Sequence, residues 1–166
     1  MNVAADEPVG TPSRGHLRVY LGAAPGVGKT YAMLAEGQRR AARGKDVVIG
    51  LVETHGRPLT AEIAVGLEQI PRRELPHRGA TLSELDVAGV LARHPQVALV
   101  DELAHTNAPG SVHPKRWQDI DDLLDAGIDV ITTVNIPHLE PLNDVVESIT
   151  GIQQAENVPA DVARRA

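Results

Sequence analysis

The sequence predicts an α/β fold in which a mainly parallel β-sheet carries helices on both faces, and three stretches support that prediction. Residues 17–21 form an apolar run that leads into a glycine-rich turn and then a helical pattern. Residues 47–52 form a second apolar run, and residues 97–100 form a third that ends in two acidic residues. Continuous apolar runs are typical of parallel strands buried on both faces. We therefore expect ligand-binding loops at the carboxyl edge of this sheet.

Composition restricts the class of protein. The 166 residues suit one compact domain, and the absence of Phe and Cys leaves a mostly aliphatic core without disulfides. The net charge of -6 gives no basic surface for nucleic acid. No apolar run reaches the roughly 20 residues that span a bilayer, and no signal peptide is evident. We expect a cytoplasmic domain without direct membrane insertion.

The amino-terminal part is predicted to contain a leader, a strand and a helix. Residues 1–15 mix Pro, Gly, Ser and charged residues without periodicity, which predicts a flexible leader. The strand at 17–21 is followed by a helix over 28–43. Gly44 is expected to end that helix, because a glycine at the C′ position adopts the left-handed backbone at little cost.

The turn before the helix, Ala23–Thr30, has the spacing of a phosphate-binding loop. Gly26 and Gly28 allow the backbone to turn N–H groups onto phosphate oxygens. Lys29 can reach the β- and γ-phosphates, and the Thr30 hydroxyl suits Mg²⁺. A glycine-rich turn that binds nothing is the alternative, and the flanking strand and helix argue against it. The motif makes the predicted fold a P-loop NTPase-like three-layer fold.

The nucleotide-binding residues are assigned from this loop. Alanine stands at Ala23, where the motif usually has its first glycine, and it is small enough to be tolerated. Tyr31 either stacks on a base or packs against the protein. The assigned residues are Ala24, Pro25, Gly26, Val27, Gly28, Lys29, Thr30 and Tyr31.

The middle of the chain is predicted as a short helix, a brief strand and a second helix. The short helix covers 60–67 and the brief strand covers 75–78, although nearby prolines weaken that strand. Thr81 with Glu84 three residues later has the spacing of a capping box, which predicts the start of a helix. Its inward face would carry Leu82, Leu85, Ala88 and Leu91.

The strand at 97–100 ends in Asp101 and Glu102, where a phosphate-loop protein needs carboxylates. Asp101 can hold Mg²⁺ together with Thr30, directly or through water. Glu102 can act as a base on an attacking water or hydroxyl, provided that hydrolysis or transfer occurs. Two solvated acids are the alternative, and the phosphate loop upstream favours the functional interpretation.

Polar residues follow other predicted strands at the same edge. We predict that they sense phosphate or contact a second substrate, and they are Glu53, Thr54, His55, Arg57, His105, Asn107, Thr132, Thr133 and Asn135. For Asn135 the alternative is that it only leads the chain into the next helix. Arg116 either stabilises charge in phosphoryl transfer or is an ordinary surface arginine at a helix start.

The last part of the chain alternates helix, strand and helix. A helix from about Trp117 ends at Gly127, a buried strand covers 128–134, and a helix with an apolar stripe covers 139–149. The helix acids Asp119, Asp121, Asp122 and Asp125 are interpreted as a solvated face. The domain is expected to span 16–152, before a polar tail over 153–166. Four histidines lack ligand-like spacing and are not assigned to a metal: His16, His77, His94 and His138.

With both motifs in place, the chain closely resembles the N-terminal cytoplasmic domain of the KdpD osmosensitive potassium-channel sensor histidine kinases. The most specific matching stretches are Glu53–Arg57 and His113–Trp117. The other matching stretches are 22–36, 101–105, 107–111, 118–120, 126–130 and 142–146. The resemblance extends over about residues 15–152.

The resemblance implies an ATP-binding regulatory module that tunes the kinase and phosphatase balance of a potassium two-component system. The implied partners are the rest of a KdpD-type kinase, its response regulator and the Kdp potassium pump. Full-length family members lie in the inner membrane with this domain in the cytoplasm. The histidine-kinase core is not in this sequence, which we interpret as a fragment of a longer protein or a naturally short one.

Three functions stay open at this point. The favoured one is regulatory binding of Mg²⁺-ATP with weak or no turnover. The second is an ATP-dependent serine kinase or ATPase that uses Glu102 as base, with Arg116 or Arg57 stabilising the transferred phosphate, and family members are credited with a serine-kinase activity toward the pump. The third is an interaction scaffold. ATP and GTP are not distinguished, although no guanine-reading motif is evident.

Overall fold

The computed structural model describes residues 13–22, 28–54 and 56–135. A parallel sheet of five strands and a separate two-stranded antiparallel hairpin lie within those ranges. The elements in chain order are β1 (Leu17–Gly22), α1 (Lys29–Ala42), β2 (Val47–Leu51), α2 (Pro58–Ala64), β3 (Glu68–Gln69), β4 (Arg73–His77), β5 (Ala80–Glu84), α3 (Val87–Arg93), β6 (Val97–Val100), α4 (Arg116–Asp125) and β7 (Asp129–Asn135).

The strands of the sheet lie in the order β1, β7, β6, β2, β3. All four neighbouring pairs are parallel, so every strand ends at the same edge. Strand β7 lies between β1, which precedes the glycine-rich turn, and β6, which precedes Asp101. The end of β7 therefore meets the residues that follow both of those strands.

Helices cover both faces of the sheet, which confirms the predicted three-layer α/β fold. On one face, Met33 and Leu34 of α1 and Ala64 of α2 are buried against the strands. On the other face, Val90 of α3 and Ile120 of α4 are buried in a second core. Burial on both faces explains why the strands read as continuous apolar runs.

The glycine at position 37 lets helix α1 lie close to strand β6. A Cβ atom added at Gly37 would lie 2.6 Å from Leu99 Cδ1. This contact sets the spacing between the helix that follows the glycine-rich turn and the strand that leads to Asp101.

Most predicted elements are confirmed. The strands expected at 17–21, 47–52, 97–100 and 128–134 and the helix expected at 28–43 are all present. Gly44 has a φ of 89°, as expected for the residue that ends α1. The short helix begins two residues before its predicted start, with Pro58 in its first turn, and the brief strand is β4. The helix expected at 139–149 and the tail at 153–166 lie outside the described residues.

The prediction that a helix starts at Thr81 is wrong. Residues 80–84 instead form β5, which pairs with β4 in a hairpin. The turn consists of Arg78 and Gly79, with φ angles of 49° and 79°, and two left-handed residues in succession suit a tight hairpin turn. Helix α3 starts later, because the Asp86 side chain accepts a hydrogen bond from the Gly89 backbone N–H at 3.1 Å.

The hydrogen bond of the Asp86 side chain at the start of α3 should contribute to the stability of the protein. Replacing Asp86 by Ala removes the only side-chain cap that the structure shows for α3 in the described part of the chain, and we expect the free energy of unfolding to fall by about 1 kcal/mol. Thr81→Ala removes a side chain from the exposed part of β5, and we expect a change of less than about 0.5 kcal/mol. Urea denaturation of both variants checks the ranking. A larger effect at Thr81 than at Asp86 would restore the capping-box interpretation.

The acidic residues of α4 do not all form a solvated face. Asp119 is buried, with 5% of its surface exposed. Asp121 and Asp125 form ion pairs with Arg14, and the Gly15 backbone N–H donates to the Leu124 carbonyl at 2.8 Å. Residues 14 and 15, at the end of the predicted leader, therefore contact α4.

Candidate functional site

The carboxylate of Asp101 is the centre of the site, just beyond the end of β6. It is buried, with 1% of its surface exposed. The Thr30 hydroxyl lies 3.1 and 3.0 Å from its two oxygens and donates to them. The Thr133 hydroxyl donates to Oδ1 at 2.5 Å, and the Glu53 backbone N–H donates to Oδ2 at 3.0 Å. The structure thus joins the start of α1, the end of β2 and the end of β7 through one carboxylate.

Thr133 acts on the site through Asp101. Its hydroxyl donates to the Asp101 carboxylate and also accepts a hydrogen bond from the Glu102 backbone N–H at 3.0 Å. It is fully buried, so it can hold the two acidic residues in place but does not reach a cavity surface. Thr132 is also fully buried, and its hydroxyl has no hydrogen-bond partner among the described residues.

Lys29 is the first residue of α1 and lines two neighbouring cavities. One is shared with Thr30, Tyr31, Glu53, Thr54, Arg57 and Thr60. The other has a volume of about 260 Å³ and is shared with Glu102, Ala104, His105, Val134 and Asn135. Most of the predicted polar loops are therefore brought together around Lys29. Ala24, Pro25, Gly26, Val27 and His55 lie outside the described residues.

The two predicted acids diverge because the chain turns sharply after β6. Glu102 has a φ of 60°, in the left-handed region that non-glycine residues rarely adopt. The His105 backbone N–H donates to the Glu102 carbonyl at 3.1 Å and closes the turn. Asp101 is consequently buried beneath the turn, whereas Glu102 and His105 line the larger cavity with Lys29.

Arg116 is not a surface arginine, so that sequence interpretation is wrong. Only 2% of its surface is exposed, and its Nη1 donates to the Asp101 carbonyl at 3.0 Å. Its backbone N–H donates to the His105 carbonyl at 3.1 Å. Arg116 thus holds both ends of the turn that follows β6. Its guanidinium binds this backbone, and Arg116 does not line the larger cavity.

Glu84 is the residue that sequence reasoning missed. It ends β5 and is buried, and its Oε2 lies 3.3 Å from Nη2 of Arg116. Both of its oxygens also approach Nε2 of His105, at 2.8 and 3.1 Å. Burial lowers the pKa of the Arg116 guanidinium, while the Glu84 and Glu102 carboxylates oppose that shift. The sequence contained no local signal that Glu84 contacts Arg116 and His105, because the three residues come from separate parts of the chain.

Asn107 has a different role from the predicted phosphate contact. Its Nδ2 donates to Asp119 Oδ2 at 2.7 Å and to the His113 carbonyl at 3.0 Å. Burial raises the pKa of the Asp119 carboxyl, and the hydrogen bond from Asn107 opposes that rise. The pair stabilises the loop between β6 and α4. Glu53 is likewise held in place, by an ion pair of 2.8 Å with Arg72.

Helices in the described ranges are all too short or too polar to cross a bilayer.

Comparison with known proteins identifies the family to which the chain belongs. The family model described as the KdpD osmosensitive K⁺ channel His kinase sensor domain matches residues 13–166. A sensor protein KdpD of Mycobacterium tuberculosis is 65% identical over 94% of this chain and 18% of its own length. The sensor proteins KdpD of Escherichia coli and Clostridium acetobutylicum are 59% and 49% identical, over 92% and 90% of this chain and 17% of each relative.

The chain therefore spans about a sixth of the length of these relatives, at 17–18% of each. The family match over residues 13–166 covers every residue of the site described above. The chain belongs to the KdpD family, as its osmosensitive K⁺ channel histidine-kinase sensor domain.

Proposed function

We propose that this chain is a Mg²⁺-ATP-binding regulatory domain of a potassium-responsive two-component system. The observation that carries the proposal is the hydrogen bond between the Thr30 hydroxyl and the Asp101 carboxylate, at 3.0 Å, beside the cavities that Lys29 lines. Hydroxyl and carboxylate oxygens are the ligand types that Mg²⁺ takes from phosphate-loop proteins. These two residues are 71 positions apart in the sequence, so their contact supports a shared role.

The described residues fit such a group. Asn135 lines the larger cavity with Lys29, and its buried Oδ1 has no hydrogen-bond partner among the residues described. Buried polar atoms are nearly always paired, so a polar ligand in this cavity would explain Asn135. Thr30 and Asp101 would hold Mg²⁺, and Lys29 would bind the β- and γ-phosphates. Bound Mg²⁺ would supply positive charge that offsets the charge of these phosphates.

In this proposal the domain acts in the cytoplasm as part of a longer sensor kinase. Nucleotide binding at Lys29 would bias the loops around Glu53, Thr54, Arg57 and His105, which share its cavities. The rest of the kinase, its response regulator or the Kdp potassium pump would read that change. Regulation would change the balance of kinase and phosphatase output.

A second function has one observation in its favour. Glu102 lines the same cavity as Lys29, where a base for phosphoryl transfer would be needed. The domain would then be an ATP-dependent serine kinase or an ATPase that acts on a potassium-transport partner. The hydrogen bonds of Arg116 make it a holder of the Asp101–His105 turn in either case.

The first test is calorimetric titration of Mg²⁺-ATP into the wild type and the Lys29→Ala variant. Loss of one charge-assisted phosphate contact should weaken binding by about tenfold or more. Lys45→Ala is the matched control, because Lys45 is an exposed lysine just beyond the other end of α1. The Lys45→Ala variant should bind Mg²⁺-ATP with the affinity of the wild type. Wild-type affinity in Lys29→Ala would overturn the proposal in favour of a scaffold.

Phosphate release measured in the same samples separates the two functions. In a regulatory module, Glu102→Gln should keep its ATP affinity and have little turnover to lose. In an enzyme, the same change should lower turnover by about 100-fold or more, because a positioned base contributes at least that factor.

A further inference from the structure

Three polar side chains from separate parts of the chain form a hydrogen-bonded row beside the candidate site. Arg116 of α4 lies 3.3 Å from Glu84 of β5, and Glu84 lies 2.8 Å from Nε2 of His105 in the turn after β6. Glu84 and Arg116 are both buried, while His105 keeps 31% of its side chain exposed. The row therefore begins inside the protein and ends at an accessible imidazole.

The geometry determines which nitrogen of His105 remains for a ligand. A carboxylate accepts hydrogen bonds and does not donate them, so Nε2 carries the proton that Glu84 accepts. Nδ1 is then the nitrogen without a role in this pair. His105 lines the cavity of about 260 Å³ that Lys29 and Asn135 also line. When both ring nitrogens of a histidine carry protons, the nitrogen that is not held by the carboxylate can donate a hydrogen bond to a phosphate oxygen.

We propose that His105 distinguishes ATP from ADP in the Lys29 cavity, and that Glu84 is the positioning residue that orients its ring. This inference rests on the proposed nucleotide binding and extends it to the terminal phosphate. Lys29 would reach the β- and γ-phosphates, and His105, in the turn after β6, lines the same cavity. The terminal phosphate of ATP is the γ-phosphate, which ADP lacks, so a contact from His105 to that group favours ATP selectively.

Arg116 supports this arrangement from two sides. Its backbone N–H binds the His105 carbonyl and its guanidinium binds Glu84. The main chain and the side chain of His105 are therefore both held by groups that originate at Arg116. Such support by neighbouring residues keeps a ligand-binding side chain in one orientation.

The test is calorimetric titration of Mg²⁺-ATP and of Mg²⁺-ADP into wild type, His105→Gln and His113→Gln. His113 is the matched control, since its Nε2 lies 2.7 Å from Asp122 and its side chain is 30% exposed, but it does not line the Lys29 cavity. His105→Gln should weaken ATP binding by about tenfold and ADP binding by less than about twofold. His113→Gln should change neither.

Glu84→Gln tests the positioning role, with the ring nitrogen NMR signals of His105 as a second readout. We expect the ATP preference to fall as in His105→Gln, and the double variant to lose no more than either single variant. In the wild type the His105 ring signals should shift with ATP and not with ADP. If Glu84→Gln does not fold, the His105→Gln titrations and the wild-type NMR signals still decide the proposal.

The outcomes separate this inference from the function on which it rests. Equal weakening of ATP and ADP in His105→Gln, or no weakening of either, overturns the role of His105 while Lys29-dependent binding stands. Binding that is insensitive to Lys29→Ala overturns the proposed function itself.

Discussion

Asp101→Asn is expected to remove most of the Mg²⁺ dependence of ATP binding while it leaves the fold intact. The amide has nearly the shape of the carboxylate, and hydroxyl groups such as those of Thr30 and Thr133 can accept as well as donate hydrogen bonds. The charge that would hold Mg²⁺ is lost. We expect the affinity for ATP with Mg²⁺ to fall by about 100-fold, at the upper end of what disturbing a metal site costs.

The sign of the effect without Mg²⁺ makes this prediction specific. Removing a negative charge beside a phosphate site reduces electrostatic repulsion, so Asp101→Asn in EDTA should bind ATP at least as well as the wild type. Calorimetry with and without Mg²⁺ measures both affinities. Asp125→Asn is the control, because Asp125 is an exposed acid on α4 that pairs with Arg14. An equal loss of affinity with and without Mg²⁺ would show that Asp101 has only a structural role.

Arg116→Met is expected to cause the largest loss of stability among the substitutions considered. The change leaves Glu84 buried without its guanidinium partner, and it removes the hydrogen bond that Nη1 donates to the Asp101 carbonyl. Removing one partner of a buried ion pair costs about 3–5 kcal/mol, and we expect the lower end of that range because Glu84 keeps its hydrogen bond with His105. Urea denaturation would measure this decrease in the free energy of unfolding.

Two further variants identify the cause of that loss. Arg116→Met combined with Glu84→Gln should recover part of the stability, because no buried charge is then left alone. Arg43→Met is the control: Arg43 is 62% exposed and lies 3.7 Å from Glu36, so we expect a change of less than about 1 kcal/mol. If Arg116→Met and Arg43→Met had equal effects, the hydrogen-bonded row would have no special importance.

The geometry around Arg116 links these two predictions. Asp101 and His105 bound one short turn, and Arg116 binds the carbonyls of both residues. A change in this turn, such as the loss of the Glu84 contact, would therefore reach both the carboxylate that would hold Mg²⁺ and the imidazole in the cavity. In the proposed regulatory function, this turn is the element whose position nucleotide would bias.

Local patterns determined the fold class and the position of the site. Apolar runs over 47–52 and 97–100, with the mainly apolar stretches 17–21 and 128–134, were sufficient to predict a parallel sheet, because strands buried on both faces are mostly apolar. The rule that ligands bind at the carboxyl edge of such sheets then predicted that the polar residues after these strands meet. The structure confirms that Thr30, Asp101 and Thr133 do meet.

Predictions from local patterns were wrong where the spacing of a residue fits one role and the tertiary structure gives it another. Thr81 and Glu84 match the spacing of a capping box, but the left-handed turn at Arg78 and Gly79 forms a hairpin instead. Glu84 then serves a distant arginine. Asp119 matches a solvated helix face, yet the loop that carries Asn107 covers it.

The sequence by itself thus determined the family, the layers of the fold and the edge at which its polar loops gather, since these depend on short-range periodicity and on motif spacing. Only the tertiary structure decided that Arg116 is buried, that Glu84 pairs with His105, and that Thr133 holds Asp101. These contacts join residues 21 to 32 positions apart. Their partners are selected by strand order and helix packing, and no pattern within a single element specifies either one.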